Sequence, residues 1–276
     1  MNSPHEIELD ITPAVVVTGG SSGIGRAIAA VFLKQGRAVV LVARNEARLA
    51  AAKDALTTSV PGRSARIETI SLDVTRPDAP QSLAANLASQ GVYADILVLA
   101  AGTGLAGPFD SPEPEAIANL LALNISAPTQ LIRSVLPAMK ARRHGGILAV
   151  ASLGGYVPGP YQASYYASKA YLCSLCEAVG AELAGSGVRM TVLAPGPVET
   201  AFHAKMGAET SLYRRLIPAL SPDRTARAAV WGYTLRRRVV VPGVIPKALA
   251  VCVAMLPHWV TRPFIKALLY RPDAPT

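Results

Sequence analysis

From residue 14 to about residue 195, short apolar runs alternate with longer segments in which apolar residues recur at the spacing of a helix. Short runs rich in Val, Ile and Leu, typical of buried strands, occur at Ala14–Thr18, Ala38–Val42, Arg66–Leu72, Ile96–Ala100, Ile147–Ala151 and Met190–Leu193. Segments with the spacing of amphipathic helices separate them, at Ile24–Gln35, Glu46–Thr57, Ala79–Ser89, Pro112–Arg143 and Ala163–Ala184. This alternation predicts an α/β fold with a doubly wound parallel sheet and helices on both faces.

The size and composition of the chain favour one domain spanning residues 1–276. About half of the residues are apolar and only 5% are aromatic, which is typical of a parallel sheet covered by closely packed helices. This apolar content also excludes a globally disordered chain. Val239–Val241 is a candidate edge strand.

A glycine-rich turn follows the first predicted strand and leads directly into a helix. Its sequence, Thr18-Gly19-Gly20-Ser21-Ser22-Gly23-Ile24-Gly25, has the spacing Gly-x-x-x-Gly-x-Gly. Glycines let the backbone turn sharply and approach a pyrophosphate, and the free amides at a helix start bind the anion. This position predicts a dinucleotide site formed by Gly19, Ser21, Ser22, Gly23, Ile24 and Gly25.

The residues after the second and third strands bear on which dinucleotide is bound. Arg44 stands where an acidic residue would hold the adenosine ribose, and a guanidinium there can pair with a 2′-phosphate. The sequence therefore favours NADP(H), with NAD(H) as the alternative; an ordinary exposed loop arginine is the other interpretation. Asp73 and Val74 lie where the adenine would pass, although Asp73 could instead accept hydrogen bonds in a turn or cap.

Tyr165 and Lys169 lie one turn apart on a predicted helix, and Ser152 ends the fifth strand. Reduction of a ketone requires a proton donor at the carbonyl oxygen. A tyrosine with an ordinary pKa near ~10 needs a neighbouring cation to act near neutral pH. Lys169 can supply that cation, and the Ser152 hydroxyl can hold the substrate oxygen.

These motifs, in this order, resemble the short-chain dehydrogenase/reductase superfamily in its compact, one-domain form. The matching residues are Thr18–Gly25, Asp73, Asn124, Ser152, Tyr165, Lys169 and the run Pro195-Gly196-Pro197-Val198-Glu199-Thr200. The resemblance implies a Rossmann-like sheet of about seven strands and hydride transfer at the B face of the nicotinamide. It also implies a homodimer or homotetramer packed through the helix that carries Lys169.

The resemblance also assigns roles. Tyr165 is the acid/base, Ser152 orients the substrate, Lys169 lowers the tyrosine pKa and binds the nicotinamide ribose, and Asn124 holds a water in a proton relay. Further cofactor contacts are expected from Ala101, Gly102, Pro195, Gly196, Val198 and Thr200. One departure is the stretch Leu99-Ala100-Ala101-Gly102, where the family usually has Asn-Asn-Ala-Gly.

Apolar residues flank the predicted reaction centre. Residues 198–222 correspond to the substrate lid of the superfamily and contain Phe202, His203 and Met206, while Leu153 and Tyr156 follow the serine. This lining predicts a lipophilic ketone or secondary alcohol as the small-molecule substrate. A surface position is the other interpretation of His203.

The net charge of +9 lies entirely in the last quarter of the chain. Residues 201–276 carry twelve Lys/Arg and three Asp/Glu, whereas residues 1–200 carry fifteen of each. A basic end suits a phosphate-bearing substrate, an anionic membrane surface or an acidic carrier, or it is a solvated face. Nucleic-acid binding is disfavoured because no reading motif accompanies the charge.

Residues 243–276 are predicted to form a helical extension. The apolar run Ala248–Leu256 is too short to span a bilayer, and it is followed by Trp259, Phe264, Ile265, Leu268, Leu269 and Tyr270 among basic residues. This segment could contact a membrane surface, cap the substrate cleft or form a dimer contact.

The cysteines, histidines and chain start narrow the remaining possibilities. Three cysteines and no apolar leader indicate a cytoplasmic protein, with membrane association as the alternative. Cys173 and Cys176 have redox spacing but lie within a helix, which favours packing. No cluster of His, Cys, Asp and Glu predicts a metal site.

Two functions remain as alternatives to the NADP(H)-dependent oxidoreductase. The second hypothesis is a catalytically idle NADP-binding sensor or scaffold, and the third is a sugar-nucleotide epimerase.

Overall fold

The computed structural model describes residues 11–60, 66–248 and 256–270. Its seven parallel strands are β1 (Thr12–Thr18), β2 (Ala38–Ala43), β3 (Ile67–Ser71), β4 (Val92–Leu99), β5 (Gly146–Val150), β6 (Arg189–Leu193) and β7 (Val239–Val240). They form one sheet in the order β3-β2-β1-β4-β5-β6-β7. The strand order reverses between β1 and β4, which opens a crevice at the carboxyl ends of these strands. The predicted doubly wound parallel sheet is confirmed.

Helices cover both faces of the sheet. They are α1 (Gly23–Lys34), α2 (Glu46–Ser59), α3 (Ala79–Ser89), α4 (Pro114–Leu121), α5 (Ala127–Arg142), α6 (Ala163–Glu182), α7 (Phe202–Met206), α8 (Leu212–Leu216), α9 (Pro222–Thr234) and α10 (His258–Leu269). One core layer joins the sheet to α1, α2 and α9, and the other joins it to α3, α5 and α6. The apolar side chains of the strands therefore pack on both sides, as the continuous runs predict.

The predicted helical stretch Pro112–Arg143 is not one continuous helix, and Pro128, which by its sequence could start a helix, lies in the first turn of α5. The structure divides this stretch into α4, a π-helical turn at Ala122–Ser126 and α5. The π turn contains the buried Asn124, whose side chain bonds to two neighbouring segments. Insertions of this kind often mark functional sites, and here the turn gives a polar side chain a fixed place inside the fold.

Strand β4 begins four residues earlier than predicted, at Val92 instead of Ile96. The sequence hides this start because Asp95 interrupts the apolar run. Asp95 is only 1% exposed, and it forms an ion pair with Arg37 and a 2.8 Å hydrogen bond to His144 Nδ1. Both partners lie about fifty residues away in sequence, so no local pattern predicts that the charge is satisfied.

Replacing Asp95 by asparagine is expected to destabilise the fold by about 2 kcal/mol, because a buried carboxylate that pairs with the partly exposed Arg37 loses its charge. Urea unfolding measures this difference. The matched control is Asp78→Asn, since Asp78 pairs with Arg76 on the exposed surface and the loss of such a pair changes stability little. Equal unfolding curves for Asp95→Asn and the wild type would contradict the structural role of Asp95.

The segments after β6 close over the carboxyl edge of the sheet. An isolated bridge between Val198 and Leu220 joins the ends of the segment that carries α7 and α8. Helix α10 lies in the predicted C-terminal extension, whereas most of the apolar run Ala248–Leu256 falls outside the described residues. Within the described parts of the chain, no helix has the length and apolar character needed to cross a membrane.

Candidate active site

A cavity of about 1090 Å³ extends from the glycine-rich turn to the C-terminal helix. It is lined by every predicted cofactor residue: Gly19, Ser21, Ser22, Gly23, Ile24, Gly25, Arg44, Asp73, Val74, Ala101, Gly102, Tyr165, Lys169, Pro195, Gly196, Val198 and Thr200. It is also lined by Ser152 and by the predicted substrate residues Leu153, Tyr156, Phe202, His203 and Met206. Asn124 does not line it and lies buried behind its wall.

The glycine-rich turn packs tightly against the end of β4. Gly19 has a φ of +68°, and a Cβ there would lie 2.7 Å from the backbone nitrogen of Ala101. A Cβ on Gly25 would lie 2.6 Å from the carbonyl oxygen of Gly19. Ser22 begins α1 without a side-chain cap, so the first amides of the helix can bind an anion. These features fit the pyrophosphate of a dinucleotide.

Thr18 supplies the tie that the missing family asparagines would make. Its hydroxyl donates to the Val98 carbonyl at 3.3 Å and accepts hydrogen bonds from the amides of Ala100 at 3.2 Å and Ala101 at 3.4 Å. The departure at residues 99–102 therefore leaves the ends of β1 and β4 joined. Sequence analysis placed Thr18 in the motif but did not assign it this role.

Three arginines line the cavity, namely Arg26, Arg44 and Arg48. Arg44, whose side chain is 72% exposed, lies 3.8 Å from an Asp73 oxygen. Burial by itself would raise the pKa of Asp73, but hydrogen bonds from Thr75 and the charge of Arg44 lower it below its ordinary value. Asp73 thus serves as a turn acceptor while facing the cavity. Sequence reasoning missed Arg26 and Arg48.

The three predicted catalytic side chains meet at the end of β5. The phenol of Tyr165 hydrogen-bonds with Ser152, whose hydroxyl also accepts from the Gly154 amide at 3.1 Å. The Lys169 ammonium donates to the Val150 carbonyl at 3.0 Å and lies 5.9 Å from the centre of the Tyr165 ring. The geometry places a hydroxyl pair and a cation beside the glycine-lined cleft.

The pKa values of this group are governed by burial. Tyr165 is 9% exposed, and burial raises its pKa to about 12, although the hydrogen bond with Ser152 lowers it. Lys169 is 5% exposed, and burial lowers its pKa to about 8. The pKa of Tyr165 is therefore raised, whereas the sequence predicts that Lys169 lowers it. The difference arises because both side chains are buried away from water.

Asn124 connects the catalytic helix to the strand end. Its amide donates to the Thr103 carbonyl at 2.8 Å and to the Ser168 hydroxyl at 3.0 Å, and its oxygen accepts from the Thr103 amide at 3.0 Å. Ser168 in turn donates to the Tyr165 carbonyl at 2.7 Å. A Cβ on Gly102 would lie 3.4 Å from both Asn124 Oδ1 and Lys169 Nζ. Sequence reasoning missed Ser168, which no motif marks.

Aromatic and apolar side chains surround the other end of the cavity. The Phe202 ring lies 5.5 Å from the Tyr165 ring, and Met206 packs in the same buried cluster. His203 Nδ1 lies 3.4 Å from the Tyr213 hydroxyl. His203 lines the cavity, and the alternative interpretation of it as a surface residue does not apply.

The far wall comes from α10. Ile265, Leu268 and Leu269 are buried and pack against residues near the cavity, among them Tyr166 and Tyr213. The sequence left three roles open for the C-terminal segment: membrane contact, cap of the substrate cleft and dimer contact. The side of α10 that carries these three residues lies where a cap of the cleft would lie. The spacing of these three residues is the sequence signal that could have identified this face.

One polar residue of the wall was also missed. Gln162 is buried at the start of α6 and lines the cavity, and no residue in the described part of the chain accepts a hydrogen bond from its Nε2. Its side chain is an unused donor beside the substrate region. No spacing or motif in the sequence distinguishes it from an ordinary helix-capping residue.

The paired cysteines of α6 are packing residues. Cys173 and Cys176 are free and buried, and burial raises the pKa of both thiols, that of Cys176 to about 12. A redox pair needs an accessible thiolate, which neither position provides. Cys252 lies outside the described residues. In the described part of the chain, no group of three or more His, Cys, Asp or Glu could hold a metal ion.

The chain is similar to known proteins over most of its length. A short-chain dehydrogenase from Sphingobium yanoikuyae in complex with NADPH has a TM-score of 0.76 at 27% identity, covering 95% of this chain and 98% of that one. A short chain dehydrogenase of Pseudocercospora fijiensis is 36% identical over 67% of this chain and 59% of its own length. A 3-ketodihydrosphingosine reductase of Bos taurus is 33% identical over 78% of this chain and 67% of its own length.

The chain spans less than two thirds of the fungal relative's length. A family model described as short chain dehydrogenase matches residues 13–211, well over half of the chain. That range holds the glycine-rich turn, the strand-end Ser152 and the pair Tyr165 and Lys169, which the fold brings into one cavity. The chain therefore belongs to the short-chain dehydrogenase family.

Proposed function

We propose that the protein is an NADP(H)-dependent carbonyl reductase that interconverts a lipophilic ketone and a secondary alcohol, with Tyr165 as the acid/base. One observation carries this proposal. The Tyr165 phenol, the Ser152 hydroxyl and the Lys169 ammonium converge in the cavity that the glycine-rich turn also lines. That combination can hold a carbonyl oxygen and protonate it.

A bound nicotinamide would supply or accept the hydride. In the reducing direction, the Ser152 hydroxyl holds the carbonyl oxygen and Tyr165 Oη gives it a proton. The Lys169 ammonium, fixed to the Val150 carbonyl, favours the phenolate that Tyr165 leaves behind. Asn124 acts as a positioning residue, because its bonds to Thr103 and Ser168 fix the helix that carries the phenol.

The preference for NADP(H) is supported by the charge of the adenosine end. Arg26, Arg44 and Arg48 all line the cavity, and Arg44 and Arg48 stand around the start of α2, directly after β2. The Asp73 carboxylate is already engaged by Thr75 and lies close to Arg44, so the local field still favours an added phosphate.

Arg44→Ala is expected to weaken NADPH binding about tenfold and to leave NADH binding nearly unchanged, because only the former carries a 2′-phosphate. Fluorescence titration of both dinucleotides measures the two dissociation constants. Arg66→Ala, which removes an arginine outside the cavity, is the matched control. Equal weakening for NADPH and NADH would contradict the role given to Arg44.

The substrate class is supported by the walls of the cavity. Phe202, Met206 and the inner face of α10 form an apolar region beside the reaction centre. Apolar cavities with a few polar groups bind lipophilic small molecules. The bovine relative carries the name of a ketone reductase.

Turnover of a ketone panel tests the proposal. The purified protein is mixed with NADPH or NADH and with 2-octanone, acetophenone, a long-chain 3-oxo ester or the polar control fructose, and loss of absorbance of the reduced dinucleotide is followed. Faster reduction of the lipophilic ketones with NADPH is expected. Tight NADPH binding without turnover of any ketone would contradict it and favour a catalytically idle NADP-binding protein.

A further inference from the structure

The outer face of α10 combines an exposed aromatic residue with basic ones. Trp259 is 77% exposed, and Arg262 and Lys266 are also exposed. Their spacing of three and four residues places the three on one side of the helix, here called the outer α10 face. The buried Ile265, Leu268 and Leu269 occupy the neighbouring arc of the helix. Helix α10 is therefore amphipathic, and its exposed side carries one tryptophan and two cations.

Further exposed apolar side chains occur on the neighbouring helix α8 and at the ends of α10. Leu212 and Leu216 are exposed on α8, which packs against α10. Leu256 and Tyr270, at the two ends of α10, are exposed as well. Single exposed apolar residues are ordinary, but a group of them around a helix end marks a contact surface.

The charge of this region is one-sided. Helix α10 contains Arg262 and Lys266 and no acidic residue, and the preceding described segment adds Lys247. No ion pair among residues 11–60, 66–248 and 256–270 reaches any of these three cations. The whole net charge of +9 lies after residue 200. Charge complementarity therefore favours an anionic partner for this face.

We propose that the outer α10 face docks on an anionic phospholipid surface. Trp259 would lie at the headgroup–acyl boundary, and Arg262 and Lys266 would reach lipid phosphates while their stems cover apolar surface. A second copy of the chain fits less well, because a two-fold contact through this face would bring its cations together. An acidic protein would match the charge but would not require the exposed tryptophan.

Vesicle sedimentation tests the proposal with vesicles of phosphatidylcholine alone or containing about 30% phosphatidylserine. Binding is expected only to the anionic vesicles and should fall steeply as salt rises. Each neutralised cation is expected to weaken binding about fivefold, so Arg262→Gln with Lys266→Gln should weaken it roughly 25-fold. Trp259→Ala should weaken it roughly tenfold.

A second exposed tryptophan, on α9, provides a matched control for the α10 substitutions. Trp231 is also exposed and lies 5.7 Å from the Arg237 guanidinium, on α9, which packs against α1. Trp231→Ala with Arg237→Gln should leave vesicle binding unchanged. Thermal melting of each variant shows that it folds. Anionic binding that survives the α10 substitutions, or that the control pair abolishes, would overturn the proposal, as would no binding at all.

Tryptophan fluorescence gives an independent readout, because Trp231 and Trp259 are the only tryptophans. The Trp231→Phe variant should show a blue shift on anionic vesicles, whereas Trp259→Phe should show none. A Trp259 shift that follows protein concentration without lipid would instead identify a second copy as the occupant and overturn the proposal. Tyr165→Phe should still bind vesicles, so failure of lipid binding and failure of the proposed reaction are distinguishable.

Discussion

Tyr165→Phe is expected to lower ketone reduction by about three orders of magnitude, which corresponds to roughly 4 kcal/mol of barrier. The phenyl ring keeps the packing of the buried site, but the phenolic hydroxyl beside Ser152, which is proposed to protonate the carbonyl, is lost. Binding of NADPH should change little, since the glycine-rich turn and the arginines are untouched.

Steady-state rates with NADPH and the best ketone of the panel measure this effect. Tyr171→Phe is the matched control, because Tyr171 lies on the same helix, hydrogen-bonds to Thr129 at 3.1 Å and does not line the cavity. The control should retain nearly full activity. Turnover by Tyr165→Phe within tenfold of the wild type would remove Tyr165 from the role of acid/base.

Lys169→Met is expected to change how stability depends on pH. Burial lowers the pKa of Lys169 from 10.5 to about 8 in the folded protein. Between these values the unfolded chain holds a proton that the folded chain has released, so wild-type stability relative to the Met variant rises with pH. The difference of two and a half pKa units corresponds to about 3 kcal/mol in the free energy of unfolding. The wild type is destabilised by this full amount below about pH 8, and the destabilisation disappears near pH 10.5.

Urea unfolding of both proteins at about pH 7 and about pH 10 measures the difference. The raised pKa of Tyr165, about 12, acts above pH 10 and is present in both proteins. Lys34→Met, at the exposed end of α1, is the control and should show no such rise. A wild-type minus Lys169→Met difference that stays flat, or falls with pH, would contradict a buried ammonium at this position.

The Lys169 result would also show what the site costs. At neutral pH the fold keeps a charged group where burial opposes it, and the ammonium donates a hydrogen bond to the Val150 carbonyl. Such a group is retained for what it does to its neighbours, which is the stability–function conflict expected of an active site.

Sequence patterns predicted the elements whose apolar period is strong and local. The first helix was expected at Ile24–Gln35 and lies at Gly23–Lys34, and the first strand was expected from Ala14 and starts at Thr12. The start of β4 was missed because Asp95 is satisfied by residues distant in sequence. The π turn at Ala122–Ser126 was missed because the partners of its buried Asn124 are distant in sequence.

The candidate site was predicted where a motif has a fixed spacing along the chain. The glycine-rich turn, Ser152 and the Tyr165–Lys169 pair all line one cavity. Contacts that arise only on folding could not be predicted, such as the bonds from Thr18 to the end of β4. The direction of the Tyr165 pKa also depends on burial, which the motif does not encode.

Transfer of an isotopic label tests the central claim most directly. NADPH carrying deuterium at the pro-S position of C4, the B face, is mixed with the enzyme and the best ketone, and the alcohol is analysed by mass spectrometry. The account predicts deuterium on the carbinol carbon of the product and almost none when Tyr165→Phe replaces the wild type over the same time. Alcohol without deuterium, or a label retained in the oxidised dinucleotide, would contradict it.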